Sequence, residues 1–249
     1  MTQQGVLDWL AQQRRTGERA PAKVVKYGEW VIETGKFQVL GDELWSFLEQ
    51  VASAALELGN FELAEVRTCL QICISRLNIR FPGSSRVAVL RGMTLEARGR
   101  PDDALRLYDA MLVEDPNNIM LLKRRVAALK EANGAPAAAE ALARYVDVFP
   151  ADVEAWLELA HIYIGLGQYA QAAYVAEEVV LLAPVDSYAL LFYAETLYMS
   201  GETATAYKIY LRILEIANGD VQMLPNSNGE PSAGPWVRSL WGLKAVRIC

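Results

Sequence analysis

The chain is poor in the residues on which much enzymatic and metal chemistry depends. Its 249 residues include one histidine, His161, and three cysteines, Cys69, Cys73 and Cys249. Zinc sites commonly combine several histidine or cysteine ligands, and a catalytic triad needs a histidine beside its nucleophile. There is also no glycine-rich phosphate-binding loop and no nucleophile elbow. We therefore expect a non-enzymatic protein without catalytic residues, metal ligands or a cofactor.

The cysteines do not indicate a disulfide framework, because three of them cannot all pair within one chain. This usage is typical of a reducing compartment. Cys69 and Cys73 are four residues apart on a predicted helix, and we interpret them as small, buried apolar side chains.

Long apolar runs are also missing. The first thirty residues contain no apolar signal-peptide core, and the stretch 179–185 is typical of the longest apolar runs. A membrane-spanning helix needs about 20 apolar residues. The net charge of −6 and the pI of about 5.0 disfavour binding to nucleic acid or anionic lipid, although a local basic patch remains compatible with them. We expect no nucleic acid, no direct membrane insertion and no small-molecule substrate.

What the chain does contain is a repeat. Hydrophobic residues make up 53% of it and charged residues 22%, so it can form a folded core. Pro82, Pro116, Pro150 and Pro184 stand 34 residues apart, each after an apolar helical pattern. A period of 34 is the signature of the tetratricopeptide repeat (TPR), a helix–turn–helix unit. The predicted fold is all-α, a right-handed superhelical TPR solenoid of antiparallel helix pairs.

Other positions of the repeat agree with this period. Small residues are expected where helices cross, and large residues where gaps must be filled. We expect Trp156 in particular to fill the space between the helices of its repeat, and Asp152 and Ser187 to cap first helices. The predicted structural positions are Gly92, Ala104, Tyr108, Pro116, Pro150, Trp156, Ala160, Tyr163, Gly167, Ala172, Pro184, Ala194, Gly201 and Ala206.

The same reasoning divides the chain into segments. Residues 1–40 are predicted to form N-terminal helices, 5–15 and 22–34, and residues 41–217 the solenoid. Its clear units are 85–118, 119–152, 153–186 and 187–217, preceded by an irregular unit at 42–82 whose second helix is about six residues too long. Residues 218–235 are rich in Gly, Asn, Ser and Pro and are predicted to be a flexible loop. A terminal helix, 236–249, ends on apolar residues; either the chain is truncated there, which we favour, or this helix packs on a partner.

The first helix of each repeat is expected to line a concave groove. Helical spacing assigns a basic group to one repeat, acidic residues to the next and aromatic residues to the last. This mixture is suited to holding a segment of a partner, and the alternative is an ordinary solvated surface. Acidic residues at two positions where chaperone-binding repeats carry cations argue against a co-chaperone. The candidate partner-binding residues are Met93, Lys123, Arg124, Glu158, His161, Tyr188, Phe192, Glu195 and Tyr198.

A more specific resemblance lies in an ordered set of short stretches. The stretches are 41–45, 81–87, 102–104, 107–109, 114–118 and 154–156. With these, the chain resembles the subunit 2 family of the endoplasmic reticulum (ER) membrane protein complex over roughly residues 40–217. The family continues well beyond the position that matches Cys249, and the helix before Pro82 is about six residues longer here than in the family pattern.

This resemblance implies a non-catalytic scaffold that contacts the other subunits of the complex. It would lie on the cytoplasmic side of the ER membrane, held there by those subunits. The complex itself inserts newly made tail-anchored and multi-pass membrane proteins without nucleotide hydrolysis. The alternative is a free-standing TPR adaptor that binds a peptide segment of a partner in its groove.

Overall fold

The computed structural model describes residues 3–59, 64–219 and 234–247. Every regular element within these ranges is helical, and the predicted all-α TPR-type fold is confirmed. A 3₁₀-helical stretch, Lys36–Glu43, kinks at Gly41 and precedes α3. The helices are α1 (Gln3–Thr16), α2 (Pro21–Glu33), α3 (Leu44–Leu58), α4 (Ala64–Arg80), α5 (Ser85–Glu96), α6 (Pro101–Glu114), α7 (Ile119–Asn133), α8 (Ala135–Val148), α9 (Val153–Gly165), α10 (Tyr169–Leu182), α11 (Ser187–Ser200), α12 (Thr203–Gly219) and α13 (Pro235–Val246).

Local chemistry sets where these helices begin and end. Gly167 and Gly201 adopt positive φ values of 73° and 93° in the turns between paired helices, a conformation that side chains disfavour. The Asp152 carboxylate accepts a hydrogen bond from the Ala155 amide and caps α9. The cap of α11 is Asp186 and not Ser187 as predicted, because Ser187 is already the first helical residue and is buried.

Two compact units divide the chain, and the first is Met1–Ala132. Its main core is formed by α1 to α5 around Phe47, Leu48 and Val51, which are fully enclosed. Cys69 and Cys73 lie buried in this core as free thiols. Where the overlong helix is predicted, the structure describes α4, with 17 residues from Ala64 to Arg80. Residues 60–63 lie outside the described ranges, so the predicted extra length stays a prediction.

The first repeat, α5 and α6, follows the TPR rule of small residues against large ones. Tyr108 is fully buried, and its ring lies directly over Gly92, where a Cβ atom would come well inside 3.0 Å of the ring. Ala104, also fully buried, joins Tyr108 in a cluster with Leu121 of α7. Glycine at position 92 is therefore what lets these helices approach.

The second compact unit is Asn133–Cys249. In it α9 packs on α10, α10 on α11, α11 on α12, and α13 on both α11 and α12. The alanines at four predicted repeat positions are each fully buried: Ala160, Ala172, Ala194 and Ala206. A buried cluster around Ala194, Leu197, Tyr210 and Ile213 is its apolar centre.

Trp156 corrects one expectation. It is half-buried rather than enclosed, and its indole N–H donates a 2.8 Å hydrogen bond to the Pro150 carbonyl oxygen. The small side chains of Ala143 and Ala170 help to leave a cleft of about 370 Å³ that Trp156 lines together with Tyr163. The large residue of this repeat therefore borders a cavity instead of filling one.

The C-terminal helix also differs in part from expectation. Leu243 and Val246 of α13 are not left over for a partner, because they pack against the buried cluster of α10 to α12. Gly242 lies under the Tyr210 ring in the same close manner as Gly92 under Tyr108. Trp241 remains 66% exposed. Most of the predicted loop, residues 220–233, lies outside the described ranges.

Candidate functional surface

In the first compact unit, the candidate residue Arg124 belongs to a hydrogen-bonded network and not to a free basic patch. The Tyr108 hydroxyl of α6 donates a 2.6 Å hydrogen bond to the carboxylate of Glu96 at the end of α5. Arg124 of α7 forms an ion pair with the same carboxylate. Glu96 thus joins three helices through two partners, and the charge of Arg124 is largely neutralised within the fold.

The surroundings of Tyr108 keep its hydroxyl protonated. Burial, followed by the hydrogen bond to Glu96 and the negative charge of Glu96, raises the pKa of Tyr108 well above its ordinary value. The hydroxyl therefore remains a donor at physiological pH, which is what the hydrogen bond to the carboxylate requires. The other two candidates here are half-buried: Met93 packs against the Tyr108 cluster, and Lys123 lies beside Arg124 on α7.

In the second compact unit, an aromatic pair joins α9 to α11. The rings of His161 and Phe192 are stacked, with centroids 4.9 Å apart and planes inclined by 28°. His161 Nδ1 lies 2.7 Å from the Leu157 carbonyl oxygen, which can only accept, so Nδ1 carries the proton. The exposed ring of the sole histidine therefore makes two structural contacts, with the Phe192 ring and with the Leu157 carbonyl oxygen.

The remaining aromatic candidates differ in exposure. Tyr188, at the start of α11, is 66% exposed. Phe192 and Tyr198 are half-buried and pack against the cluster around Ala194. Charged substitutions at Phe192 or Tyr198 would therefore disturb the core as well as the surface. Tyr188 on α11 and Glu158 and His161 on α9 are the exposed candidates of this unit.

Glu195 has a partner that the repeat pattern did not reveal. Arg238 of α13 lies 2.7 Å from a Glu195 carboxylate oxygen. The two residues are 43 positions apart, and residues 220–233 interrupt the 34-residue period between them, so sequence spacing gave no signal for the pair. As a result α13 covers one side of α11 next to the aromatic residues.

Over the described ranges, no group of three or more His, Cys, Asp or Glu side chains is arranged to hold a metal ion. In those same ranges, no helix combines the length and the apolar character needed to cross a bilayer.

Comparison with known proteins identifies this arrangement of repeats. Residues 74–212 match a family model described as the EMC2 TPR-like repeat domain, which is more than half of the chain. The chain belongs to the ER membrane protein complex subunit 2 family. The match begins within α4 and ends within α12, so it includes the Glu96 network and the His161–Phe192 pair.

Individual relatives agree with the family. The chain is 34% identical over 227 residues to the ER membrane protein complex subunit 2 of Xenopus tropicalis, which covers 90% of this chain and 74% of that protein. It is 38% identical over 152 residues to the TPR repeat protein oca3 of Schizosaccharomyces pombe, covering 61% and 51% of the two chains.

A solved structure shares the fold. It is the C-terminal part of a TPR repeat-containing protein from Cytophaga hutchinsonii, with a TM-score of 0.57 at 15% identity, covering 89% of this chain and 95% of that one.

Proposed function

We propose that this chain is a scaffold subunit of an ER membrane protein complex. It would be held on the cytoplasmic side of the membrane by the other subunits and would perform no catalysis itself. The complex would insert newly made tail-anchored and multi-pass membrane proteins without nucleotide hydrolysis. The observation that carries this proposal is the 34% identity with the Xenopus tropicalis subunit over 90% of the chain.

The geometry of the candidate surface supports a binding role over a catalytic one. The one histidine stacks on Phe192, Glu96 is held by Tyr108 and Arg124, and Glu195 is held by Arg238. These groups contribute to helix packing. Tyr188 and His161 are exposed and can therefore contact a partner through their rings. Aromatic side chains are enriched at protein interfaces.

The test is purification of the tagged protein from its own cells in mild detergent. Stable recovery of multi-pass membrane proteins with it is expected. Recovery as a lone soluble monomer would instead support the free-standing adaptor.

A matched pair of variants tests the surface. Tyr188→Glu should lower recovery of the partner subunits, because it places a charge in an exposed aromatic surface. Tyr174→Glu is the control: Tyr174 is 64% exposed on α10, outside the candidate residues, and Tyr188 is 66% exposed. Both variants should keep the helical circular dichroism signal. Equal recovery of the partner subunits with both variants would show that Tyr188 is not part of the interface. The subunit assignment would be unaffected, because the purification of the wild-type protein tests it separately.

A further inference from the structure

The first compact unit carries a strongly basic stretch, although the whole chain has a net charge of −6. Between residues 66 and 100 there is a single acidic residue, Glu96, and no lysine. The arginines in this stretch are Arg67, Arg76, Arg80, Arg86, Arg91, Arg98 and Arg100. Such a local excess of one sign is a candidate binding surface for a partner of the opposite sign.

Several of these arginines are engaged within the fold. Arg86 pairs with Glu49, and Arg100 forms an ion pair with Asp103. The Arg76 guanidinium lies 3.9 Å from the centre of a phenylalanine ring, and Arg80 lies over two aromatic rings. Among the described side chains of this stretch, this leaves Arg91 and Arg98 with neither an ion pair nor a ring contact.

Arg91 and Arg98 line one side of a cleft between α4 and α5, with a volume of about 380 Å³. They are seven residues apart, which places both guanidinium groups on one side of α5 and its continuation. Leu70, Ile74 and Leu95 supply apolar lining. Leu70 is buried, and Ile74 and Leu95 are half-buried, so the cleft has an apolar base beneath a basic edge.

The opposite edge, on α4, is polar. Gln71, Ser75 and Asn78 line it at helical spacing, and all three are exposed. The Ser75 hydroxyl already donates to the Gln71 carbonyl oxygen at 2.7 Å, so the side-chain amides of Gln71 and Asn78 are the groups available to a ligand. Ile79, one helical turn beyond Ser75, is 81% exposed and extends the apolar surface at this edge.

This cleft is separate from the groove-facing surface. Counted from Ser85, Arg91 and Leu95 occupy repeat positions 7 and 11, whereas the groove positions on α5 include those of Met93 and Glu96. Glu96, the acidic residue nearest in sequence to both arginines, is engaged with Tyr108 and Arg124. The fold therefore provides no internal counter-charge for Arg91 and Arg98 from this residue.

We infer that the α4–α5 cleft binds an acidic segment of a partner protein, with one apolar side chain seated on Leu70, Ile74 and Leu95 and flanking carboxylates held by Arg91 and Arg98. Charge complementarity selects the sign of the partner, and guanidinium groups suit carboxylates because they can bind both oxygens. The apolar base and the small volume favour a single side chain over a bilayer surface. A nucleic-acid strand is disfavoured because none of the described residues that line the cleft has an aromatic side chain on which a base could stack.

The experiment measures binding of a short fluorescein-labelled peptide, two leucines flanked by aspartates and glutamates, to the purified chain by fluorescence polarisation. Arg91→Glu with Arg98→Glu should weaken binding by at least about tenfold, since attraction is replaced by like-charge repulsion. Raising the salt concentration should weaken binding to the wild type. A peptide with asparagine and glutamine in place of the acidic residues should bind at least about tenfold more weakly.

The control variant reverses the charge of two arginines elsewhere in the chain, so its net charge equals that of the test variant. Arg144 and Arg212 are exposed residues of the second compact unit, and Arg144→Glu with Arg212→Glu should bind the acidic peptide as the wild type does. Similar loss in both double variants would show that only total charge matters and would overturn the inference. It would also be wrong if the neutral peptide bound equally well. Arg91- and Arg98-dependent binding of phosphatidylserine vesicles or a single-stranded oligonucleotide, without binding of the acidic peptide, would likewise refute it.

Discussion

The contact between Gly92 and Tyr108 gives a sharp test of the packing in the first repeat. In Gly92→Ala, the new methyl group would fall well inside 3.0 Å of a fully buried ring, so the ring or the helix must move. Overpacking of this kind costs about 1–3 kcal/mol. Moving the ring also strains the Tyr108–Glu96 hydrogen bond, and hydrogen bonds to charged groups contribute about 1.5–3 kcal/mol.

One effect opposes these losses. Alanine is favoured over glycine inside a helix by about 1 kcal/mol. Together these effects predict that Gly92→Ala lowers the free energy of unfolding by about 1.5–5 kcal/mol. Urea titration followed by circular dichroism measures this change directly.

Gly165→Ala is the matched control. Gly165 lies at the end of α9, and a Cβ atom there would meet nothing within 4 Å. The control should be neutral or stabilising by up to about 1 kcal/mol, because only helix propensity changes. Gly92→Ala should also cost less in a Tyr108→Leu background, where the ring is gone. The reasoning fails if Gly92→Ala is as stable as the wild type, or if its cost is the same with and without the Tyr108 ring.

Three further outcomes are expected. Gly242→Ala should speed amide hydrogen exchange in α13 and leave α9 unchanged, because its methyl group would meet the Tyr210 ring; unchanged exchange in α13 would contradict this packing. Trp156→Ala should lower the free energy of unfolding by about 2 kcal/mol, less than the 3–5 kcal/mol of an enclosed aromatic residue, as a urea titration would show; a cost within that higher range would refute the half-buried assignment. Burial raises the pKa of Tyr210 to about 12, so the unfolded chain loses this proton at a lower pH than the folded chain does. The stability of the wild type should therefore fall relative to that of Tyr210→Phe as pH rises from 10 towards 12. Parallel pH profiles of stability for the two proteins would show that this proton does not contribute.

The repeat period carried much of the fold. The spacing of Pro116, Pro150 and Pro184 placed the helix ends, and the rule of small against large residues anticipated the burial of Ala104 and Tyr108. Both the proline spacing and the alternation of small and large residues are local or periodic patterns, so a single sequence is enough to detect them. Trp156 did not follow the same rule because it lines a cleft together with Ala143 and Ala170. The repeat pattern does not specify small residues at those two positions, so it could not predict the cleft.

The candidate surface was less predictable because its charges depend on pairing. Arg124 was predicted as a basic groove residue, and its ion pair with Glu96 joins residues 28 positions apart. Glu195 was also predicted as a groove residue, and Arg238 pairs with it from a helix outside the regular period. The signal for Arg91 and Arg98 was present in the sequence as a run of arginines between residues 66 and 100, and the acidic net charge of the whole chain concealed it.

The Glu96 network has a consequence for how the repeats unfold. In repeat proteins, cooperativity arises from the coupling between neighbouring repeats. The coupling between the first and second repeats combines the buried cluster of Ala104, Tyr108 and Leu121 with a charged pair, Glu96 with Arg124. The third and fourth repeats are joined by the stacked rings of His161 and Phe192 and by apolar packing. Salt weakens the charged pair, though less than it would an exposed pair, and it hardly affects apolar contacts. Rising ionic strength should therefore lower the coupling between the first two repeats more than the coupling between the last two.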